Sequence, residues 1–129
     1  MEKAIQCART TIVALSLCMF SSCSCDVAAG ERVTNRSGKY SAFTEGSECG
    51  ATTPYESSVQ VERPYFVFGH RAWTSRKAIF RATVNLDQLN LQWSDDRHLL
   101  VACRCKTEAV IFNDPRWRDI SIEYKFSQQ

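Results

Sequence analysis

The chain has 129 residues, of which 23% are charged, and its formal net charge at pH 7 is +2. This length allows one domain at most, and the lysines and arginines are scattered singly along the sequence, which argues against the basic surface that nucleic-acid binding requires. We therefore expect no nucleic-acid partner.

The N-terminal residues 1–22 have the character of an export signal. Lys3 and Arg9 form a basic region, and the apolar stretch that follows is shorter than the about 20 residues of a membrane-spanning helix. Small residues precede Cys23 as in the lipobox of bacterial lipoproteins, so Cys23 is the predicted lipidation site and first mature residue. The alternatives are ordinary cleavage near Gly30, which gives a secreted soluble protein, and an uncleaved anchor.

Residues 23–37 are mostly small and polar, with Val27 and Val33 as the only sizeable apolar side chains. This composition favours a flexible tether between a lipidated Cys23 and a folded body. Residues 38–129 are then a single β-rich domain. The predicted location is the bacterial cell envelope, where the lipid anchor holds the chain to a membrane and the domain faces the periplasm.

Short strands dominate the predicted domain, because apolar and polar residues alternate with a period of two. The clearest strands lie at residues 39–44, 57–62, 78–84, 89–93, 99–105 and 119–126. The polar segment 69–77 reads as a loop, and helix is limited to one turn near Tyr55 or Arg116. The predicted fold class is all-β with minor helix, either a small antiparallel sandwich or a partly open barrel of six to seven strands.

Residues 89–105 form the clearest hairpin of the sequence. The short polar run Ser94-Asp95-Asp96 suits its turn. A loop with an odd number of residues places Leu99 on the same face as Trp93, whereas an even loop places Leu100 there. The odd register matches the apolar side chains better, and it is the one we predict.

An aromatic run, residues 65–68, follows Pro64. Because proline has no N–H group to donate, this run is restricted to an edge strand or to the start of a strand. An aromatic cluster of this kind usually belongs to the core. The alternative is an exposed patch of Tyr65, Phe66 and Phe68 that binds a partner.

Cysteine gives the clearest chemical signal. Five cysteines remain once the signal peptide is removed: Cys23, Cys25, Cys49, Cys103 and Cys105. An oxidising compartment favours a disulfide, and the candidates are Cys49, Cys103 and Cys105, with Cys49 bonded to either of the other two. A Cys103–Cys105 bond is disfavoured, because residues two apart on a regular strand are too distant. Free buried thiols, or a soft-metal site completed by His70 or His98, are the alternatives.

The sequence contains no motif of a common catalytic class. Asp95 and Asp96 lie close to His98, but adjacent aspartates at a hairpin tip are better explained by the turn itself. Neither a Gly-x-Ser-x-Gly motif, a phosphate-binding glycine loop nor a His-Glu-x-x-His motif occurs. We predict a protein that is not an enzyme and that has no cofactor and no resident metal.

Four motifs follow one another in the predicted domain: Gly38-Lys39-Tyr40, the Cys-Gly-Ala-Thr-Thr loop at 49–53, the valine-rich strand 58–61 and the Trp-x-Asp-Asp-Arg-His-Leu-Leu hairpin at 93–100. In their content and order they resemble a family of small bacterial exported lipoproteins that carry a domain of unknown function. The resemblance implies an envelope location and a compact β-rich fold, and it implies no mechanism.

The sequence as a whole predicts a non-enzymatic lipoprotein of the cell envelope whose β-domain binds a protein or glycan partner. Its second partner is the membrane, through the lipid anchor. Soft-metal handling (Cu or Zn) through Cys103 and Cys105 is one alternative function, and a secreted soluble inhibitor-like domain is another.

Overall fold

The computed structural model of the protein describes residues 25–50 and 52–128. Two β-sheets pack face to face in a sandwich that is not closed into a barrel. The predicted all-β class is confirmed, and of the two predicted architectures the sandwich is the correct one. In the described ranges the helical content consists of two single 3₁₀ turns, Leu86–Gln88 and Thr107–Ala109, rather than a turn near Tyr55 or Arg116.

The described residues form nine strands, more than the six to seven predicted. They are β1 (Asp26–Thr34), β2 (Ser41–Glu48), β3 (Glu56–Val67), β4 (His70–Ala82), β5 (Leu89–Trp93), β6 (His98–Cys103), β7 (Val110–Asn113), β8 (Arg116–Trp117) and β9 (Ile120–Phe126). The additional strands are β1 and β8. β1 is absent from the prediction because nearly all of its side chains are exposed, and β8 because two residues are too few to show a period.

The first sheet has the strand order β1-β2-β3-β4-β7, and the second has the order β5-β6-β9-β8. All neighbours are antiparallel except β6 and β9, which are parallel. This one pair departs from the antiparallel sheet that we expected. It arises because the chain leaves β6, crosses to the first sheet as β7, and returns through the β8–β9 hairpin in the direction of β6.

The predicted register of the β5–β6 hairpin is confirmed. Trp93 lies opposite Leu99, and Leu91 lies opposite Val101. Leu91, Leu99 and Val101 are all buried between the two sheets. The register follows from the core, because a slip of one residue would turn these side chains towards water and bury Leu100 in their place.

The core lies between the sheets and takes its largest side chains from both of them. Fully buried members include Val59, Val61, Ile79, Phe80, Leu99, Val101 and Ile120. Tyr124 joins the sheets, since its hydroxyl lies within hydrogen-bond distance of the backbone carbonyl oxygens of Ile79 (2.9 Å) and Asp114 (2.6 Å), to either of which it can donate its proton. Burial raises the pKa of the Tyr124 hydroxyl well above its usual range, so the group remains a donor at every physiological pH.

Strand β1 occupies most of the segment interpreted as a flexible tether. It pairs with β2 from Asp26 opposite Glu48 to Thr34 opposite Ser41. Nearly all of its side chains are exposed, which explains why its composition resembles that of a tether. The backbone ladder, rather than the burial of side chains, holds it in the sheet. Cys23, at the start of the predicted tether, lies outside the described residues.

Strands β3 and β4 extend beyond their neighbours as a two-stranded arm, residues 63–75. The β2–β3 ladder stops where Ser41 faces Glu62, whereas the β3–β4 ladder continues to Val67 opposite His70. Residues 70–77, which read as loop from their polarity, are therefore strand. Pro64 lies in the arm, where β3 has a neighbour on one side only, which confirms the predicted edge position.

The two ends of the sandwich are built differently. One end, which we call the arm end, holds the arm, the 94–97 loop and the β8–β9 turn. Contacts across it include the hydrogen bond from the Ser37 N–H group to Asp96 (2.8 Å) and that from Arg118 to Ser75 (3.0 Å). The opposite end, which we call the disulfide end, holds the disulfides Cys25–Cys49 and Cys103–Cys105.

Candidate functional site

The tip of the arm is a two-residue turn formed by Phe68 and Gly69. Both residues have a positive φ, 50° and 78° respectively, as a type I′ hairpin turn requires. Glycine adopts this conformation without cost, but for a bulky L-residue it is sterically unfavourable. Phe68 is also 99% exposed. Neither backbone preference nor burial explains phenylalanine at this position, which is the pattern expected of a functional residue.

Phe68 belongs to a contiguous apolar tip. Its neighbours Phe66 and Val67 are 62% and 43% exposed. The assignment of residues 65–68 to the core is therefore wrong, and the alternative of an exposed patch is correct for Phe66 and Phe68. The patch is exposed because β2 ends before it and leaves the arm without cover on that side. Exposed apolar side chains of this kind mark surfaces that bind a partner.

One face of the arm stacks aromatic rings and guanidinium groups. The rings of Tyr65 and Trp73 are stacked with their centroids 5.2 Å apart, and the guanidinium of Arg63 lies 4.8 Å from the Tyr65 centroid. Tyr65 is half-buried, whereas Trp73 is 57% exposed. Cross-strand aromatic pairs stabilise a two-stranded ribbon, so this stack supports the pairing of β3 with β4 in the arm.

The base of the arm is fixed by a buried carboxylate. Glu62 has only 4% of its side chain exposed and accepts hydrogen bonds from Arg32 and Arg76, the latter over 3.1 Å, with Arg71 at 4.0 Å. Burial by itself raises the pKa of the Glu62 carboxyl, but the bonds from the two arginines outweigh burial and lower the pKa below its usual range. Phe43 lies between Arg32 and Arg76, whose guanidinium groups are 4.3 and 4.7 Å from its ring centroid.

The cysteines pair differently from the prediction. Cys49 bonds to Cys25, not to Cys103 or Cys105, because β1 brings Cys25 alongside the end of β2 with the two Cα atoms 4.2 Å apart. Cys103 bonds to Cys105, the pairing we considered disfavoured. That argument assumed a regular strand through residue 105, but β6 ends at Cys103 and the chain then bends, so the Cα distance is 5.2 Å instead of about 6.6 Å.

The same disulfide removes the conditions for a soft-metal site at Cys103 and Cys105. The two sulfur atoms are bonded to each other, and the two residues are only 1% and 6% exposed. Within residues 25–50 and 52–128 no three potential metal ligands come together. His70 is at the arm end, far from these cysteines.

The Asp95–Asp96 pair supports the hairpin turn. One carboxylate oxygen of Asp95 accepts the backbone N–H groups of Arg97 (2.7 Å) and His98 (2.9 Å), and the other lies 2.7 Å from Nδ1 of His98. The hydrogen bond from Arg97 contributes most to lowering the pKa of Asp95. The Asp96 carboxylate accepts the N–H of Ser37. Asp95 therefore has the predicted role in the turn, whereas the Asp96 carboxylate joins the turn to the loop that contains Ser37.

No protein-family model, curated protein or solved structure matches this chain. The resemblance to small exported lipoproteins therefore stays an expectation from the four sequence motifs. In the part of the chain that the structure describes, no helix is long and apolar enough to cross a membrane. Trp73 was not identified from the sequence as part of the candidate site, and neither were the two turns with a positive φ at a non-glycine residue. The one sequence signal for a hairpin tip is the position of Gly69 directly after an aromatic run.

Proposed function

We propose that the chain is a non-enzymatic binding domain of the bacterial cell envelope, anchored through a lipidated Cys23, that holds a protein partner with its arm. The observation that carries the proposal is the tip of the arm. Phe68 is fully exposed in a backbone conformation that phenylalanine disfavours. Insertion of its ring into an apolar recess of the partner compensates both costs.

A protein fits the tip better than a glycan. The side chains of Phe66, Val67 and Phe68 contain no hydrogen-bonding group. Sugars carry many hydroxyl groups, and a site that removes these from water must offer them polar partners. An apolar recess between the side chains of a protein makes no such demand.

The position of Cys25 supports lipidation at Cys23 over cleavage near Gly30. Cleavage there would remove Cys25 and the first residues of β1, and Cys49 would lose its disulfide partner. A chain that starts at Cys23 keeps both the disulfide and the whole strand. The mature chain extracted from a bacterial membrane fraction should therefore begin at Cys23 and carry added mass of acyl size. An unmodified chain that begins near Gly30 would refute the anchor.

Cys25 is part of the disulfide end, opposite the arm, and Cys23 precedes it by two residues in the sequence. Strand β3 runs from that end, at Glu56, to the arm, at Val67, a distance of roughly 36 Å. With Cys23 in a membrane, the tip therefore reaches away from the lipid surface, which supports a partner beyond that surface.

Photo-crosslinking in the native host tests the proposal. Benzoylphenylalanine at position 68 keeps an aromatic ring at the tip, and the same group at Val27, which is 65% exposed at the disulfide end, serves as the control. We expect a discrete, protease-sensitive adduct from position 68 and none from position 27. The adduct should be lost with Phe66→Ser and kept with Ile111→Ser, since Ile111 is 52% exposed on β7, outside the arm.

Three results would overturn the proposal. The first is no adduct from position 68, and the second is the same adducts from positions 68 and 27. The third is an adduct that resists protease but is cleaved by a glycan hydrolase, which would make the partner a glycan rather than a protein.

A further inference from the structure

A cleft of about 340 Å³ opens at the arm end, beside the arm and separate from its tip. Its lining consists of Arg97, His98, Arg116, Arg118, Asp119 and Ser121. Three of these six residues are arginines and one is a carboxylate. The cleft has no part in the binding by the arm tip proposed above.

The three arginines come from three different elements, and the second sheet brings them together. Arg97 precedes β6, Arg116 is on β8, and Arg118 is in the turn between β8 and β9. The N–H group of Ser121 donates to the carbonyl oxygen of Arg97 (2.8 Å), and Arg116 lies opposite Ser121 in the ladder. Arg116 and Arg118 are close in the sequence, and folding adds Arg97 to them.

Arg118 is held in place by its surroundings. Its Nη2 donates a hydrogen bond to Oγ of Ser75 on the arm (3.0 Å), and its guanidinium lies 5.2 Å from the ring centroid of Trp117. Its φ of 55° is the second positive value at a non-glycine residue among the described residues, the first being that of Phe68. A positive φ is sterically unfavourable for a residue with a long side chain. Glycine or asparagine would adopt this backbone conformation more easily than arginine.

The positive charge of the cleft is not neutralised within it. Asp119 accepts a hydrogen bond from the Tyr40 hydroxyl and has Lys39 at 3.6 Å and Arg97 at 3.9 Å. The bond from Tyr40 contributes most to lowering the pKa of Asp119, which stays ionised but is already shared among several donors. Among the described residues, neither Arg116 nor Arg118 has a carboxylate partner within ion-pair distance.

We infer that this cleft binds a tetrahedral oxyanion, phosphate or sulfate, either as the free ion or as the ester group of a larger molecule. Guanidinium groups bind such oxygens with paired hydrogen bonds. Three guanidinium groups that approach from separate elements match the three free oxygens of a monoester, whereas a carboxylate has only two. The hydroxyl of Ser121 adds a donor on the same surface.

Titration of the folded, disulfide-bonded domain tests this inference. Inorganic phosphate, inorganic sulfate and glucose 6-phosphate are added separately, at constant ionic strength, while backbone amide chemical shifts are recorded. We expect saturable shifts centred on residues 97 and 116–121. Shifts that do not saturate, or that spread evenly over the surface, would refute the site. Binding of glucose 6-phosphate at least tenfold tighter than that of phosphate identifies an ester as the ligand, and equal affinities identify the free ion.

Matched variants separate the cleft from general surface charge. Arg116→Gln should weaken binding by about tenfold or more, because it removes a guanidinium that has no carboxylate partner within residues 25–50 and 52–128. Arg118→Gly should weaken it equally while suiting the positive φ of that position. Arg104→Gln, which removes an exposed arginine at the disulfide end, is the control and should leave affinity unchanged within twofold. Equal affinity in all three variants would overturn the inference.

The result of the anion titration does not depend on whether the arm binds a protein partner. Arg116→Gln leaves Phe66 and Phe68 in place, so the adduct from position 68 should still form in that variant. An adduct without anion binding would refute the cleft alone. Saturable anion binding without an adduct would refute the arm's partner alone.

Discussion

The arm end and the disulfide end of this sandwich differ in what holds them together. The disulfide end is closed by two covalent bonds, Cys25–Cys49 and Cys103–Cys105. The arm end contains neither of these disulfides. Phe68 and Arg118, the two non-glycine residues of the described chain that have a positive φ, both lie at the arm end. In this molecule the covalent reinforcement and the unfavourable backbone lie at opposite ends.

That separation has a physical consequence. Residues that serve binding are often costly for folding, and the remainder of the protein has to supply the missing stability. Here the unfavourable backbone conformations are those of Phe68 and Arg118, and the disulfides stabilise the opposite end of the domain. Phe66 and Phe68 at the tip are 62% and 99% exposed, so they contribute little apolar burial to the fold.

The largest expected effect comes from the disulfide end. Replacing both Cys25 and Cys49 with serine opens a loop with a sequence separation of 24, which in the chain-entropy model lowers the free energy of unfolding by about 3.5 kcal/mol. For the Cys103–Cys105 disulfide, whose separation is 2, loop closure accounts for only about 1.5 kcal/mol. Because both residues are buried, serine at these positions adds the cost of burying hydroxyl groups. Urea denaturation of both variants measures the difference. A loss well below about 3.5 kcal/mol from the Cys25–Cys49 pair would contradict the loop-closure estimate.

Glu62→Gln gives the next largest effect, at the base of the arm. The variant weakens charge-assisted hydrogen bonds from Arg32 and Arg76, so we expect a loss of about 2 kcal/mol at pH 7. Because the pKa of Glu62 is lowered in the folded state, this contribution is complete above the usual pKa of glutamate. It is lost as the pH falls through the lower folded-state value.

Urea denaturation of the wild type and of the Glu62→Gln variant between pH 7 and pH 3 measures this contribution. The gap between the two stabilities should narrow as the pH falls below the usual pKa of glutamate. Glu123→Gln is the control, because the pair of Glu123 with Lys125 is exposed on both sides and should contribute less than about 1 kcal/mol. A gap between wild type and Glu62→Gln that does not depend on pH would show that the carboxylate is not ionised in the folded protein.

The smallest effect has the opposite sign and is the sharpest test of the comparison. Phe68→Asn creates an Asn-Gly type I′ turn and should raise the free energy of unfolding by about 1 kcal/mol, since asparagine tolerates the positive φ. The same variant should lose the partner of the arm. Val27→Asn, at an exposed residue of the disulfide end with an ordinary φ, should bring no gain. A less stable Phe68→Asn protein would show that phenylalanine serves the fold and not the binding of a partner.

The sequence predicted those parts of the fold that depend on the alternation of apolar and polar residues along a strand. The register of β5 against β6 followed from apolar bulk at Leu91, Leu99 and Val101, and the inward face of β9 followed from strict alternation. Both depend on residues that are close in sequence and on a buried face that fixes their direction.

The remaining features depend on contacts that a local pattern does not contain. Phe66 is exposed because β2 ends at a particular residue, and no feature of the aromatic run itself reports where β2 ends. Cys25 reaches Cys49 because β1 is paired through its backbone while its side chains stay in water. The arginines of the cleft converge through the β8–β9 hairpin, whose two-residue strand β8 is too short to show a period.

The parallel pairing of β6 with β9 determines when the domain can fold. Strand β9 lies between β6 and β8 in the second sheet, so that sheet stays incomplete until residue 126 is available. Pairing of distant, parallel strands is also intrinsically slow. In a chain that is synthesised from its N-terminus, the second sheet therefore cannot be completed until residue 126 has emerged.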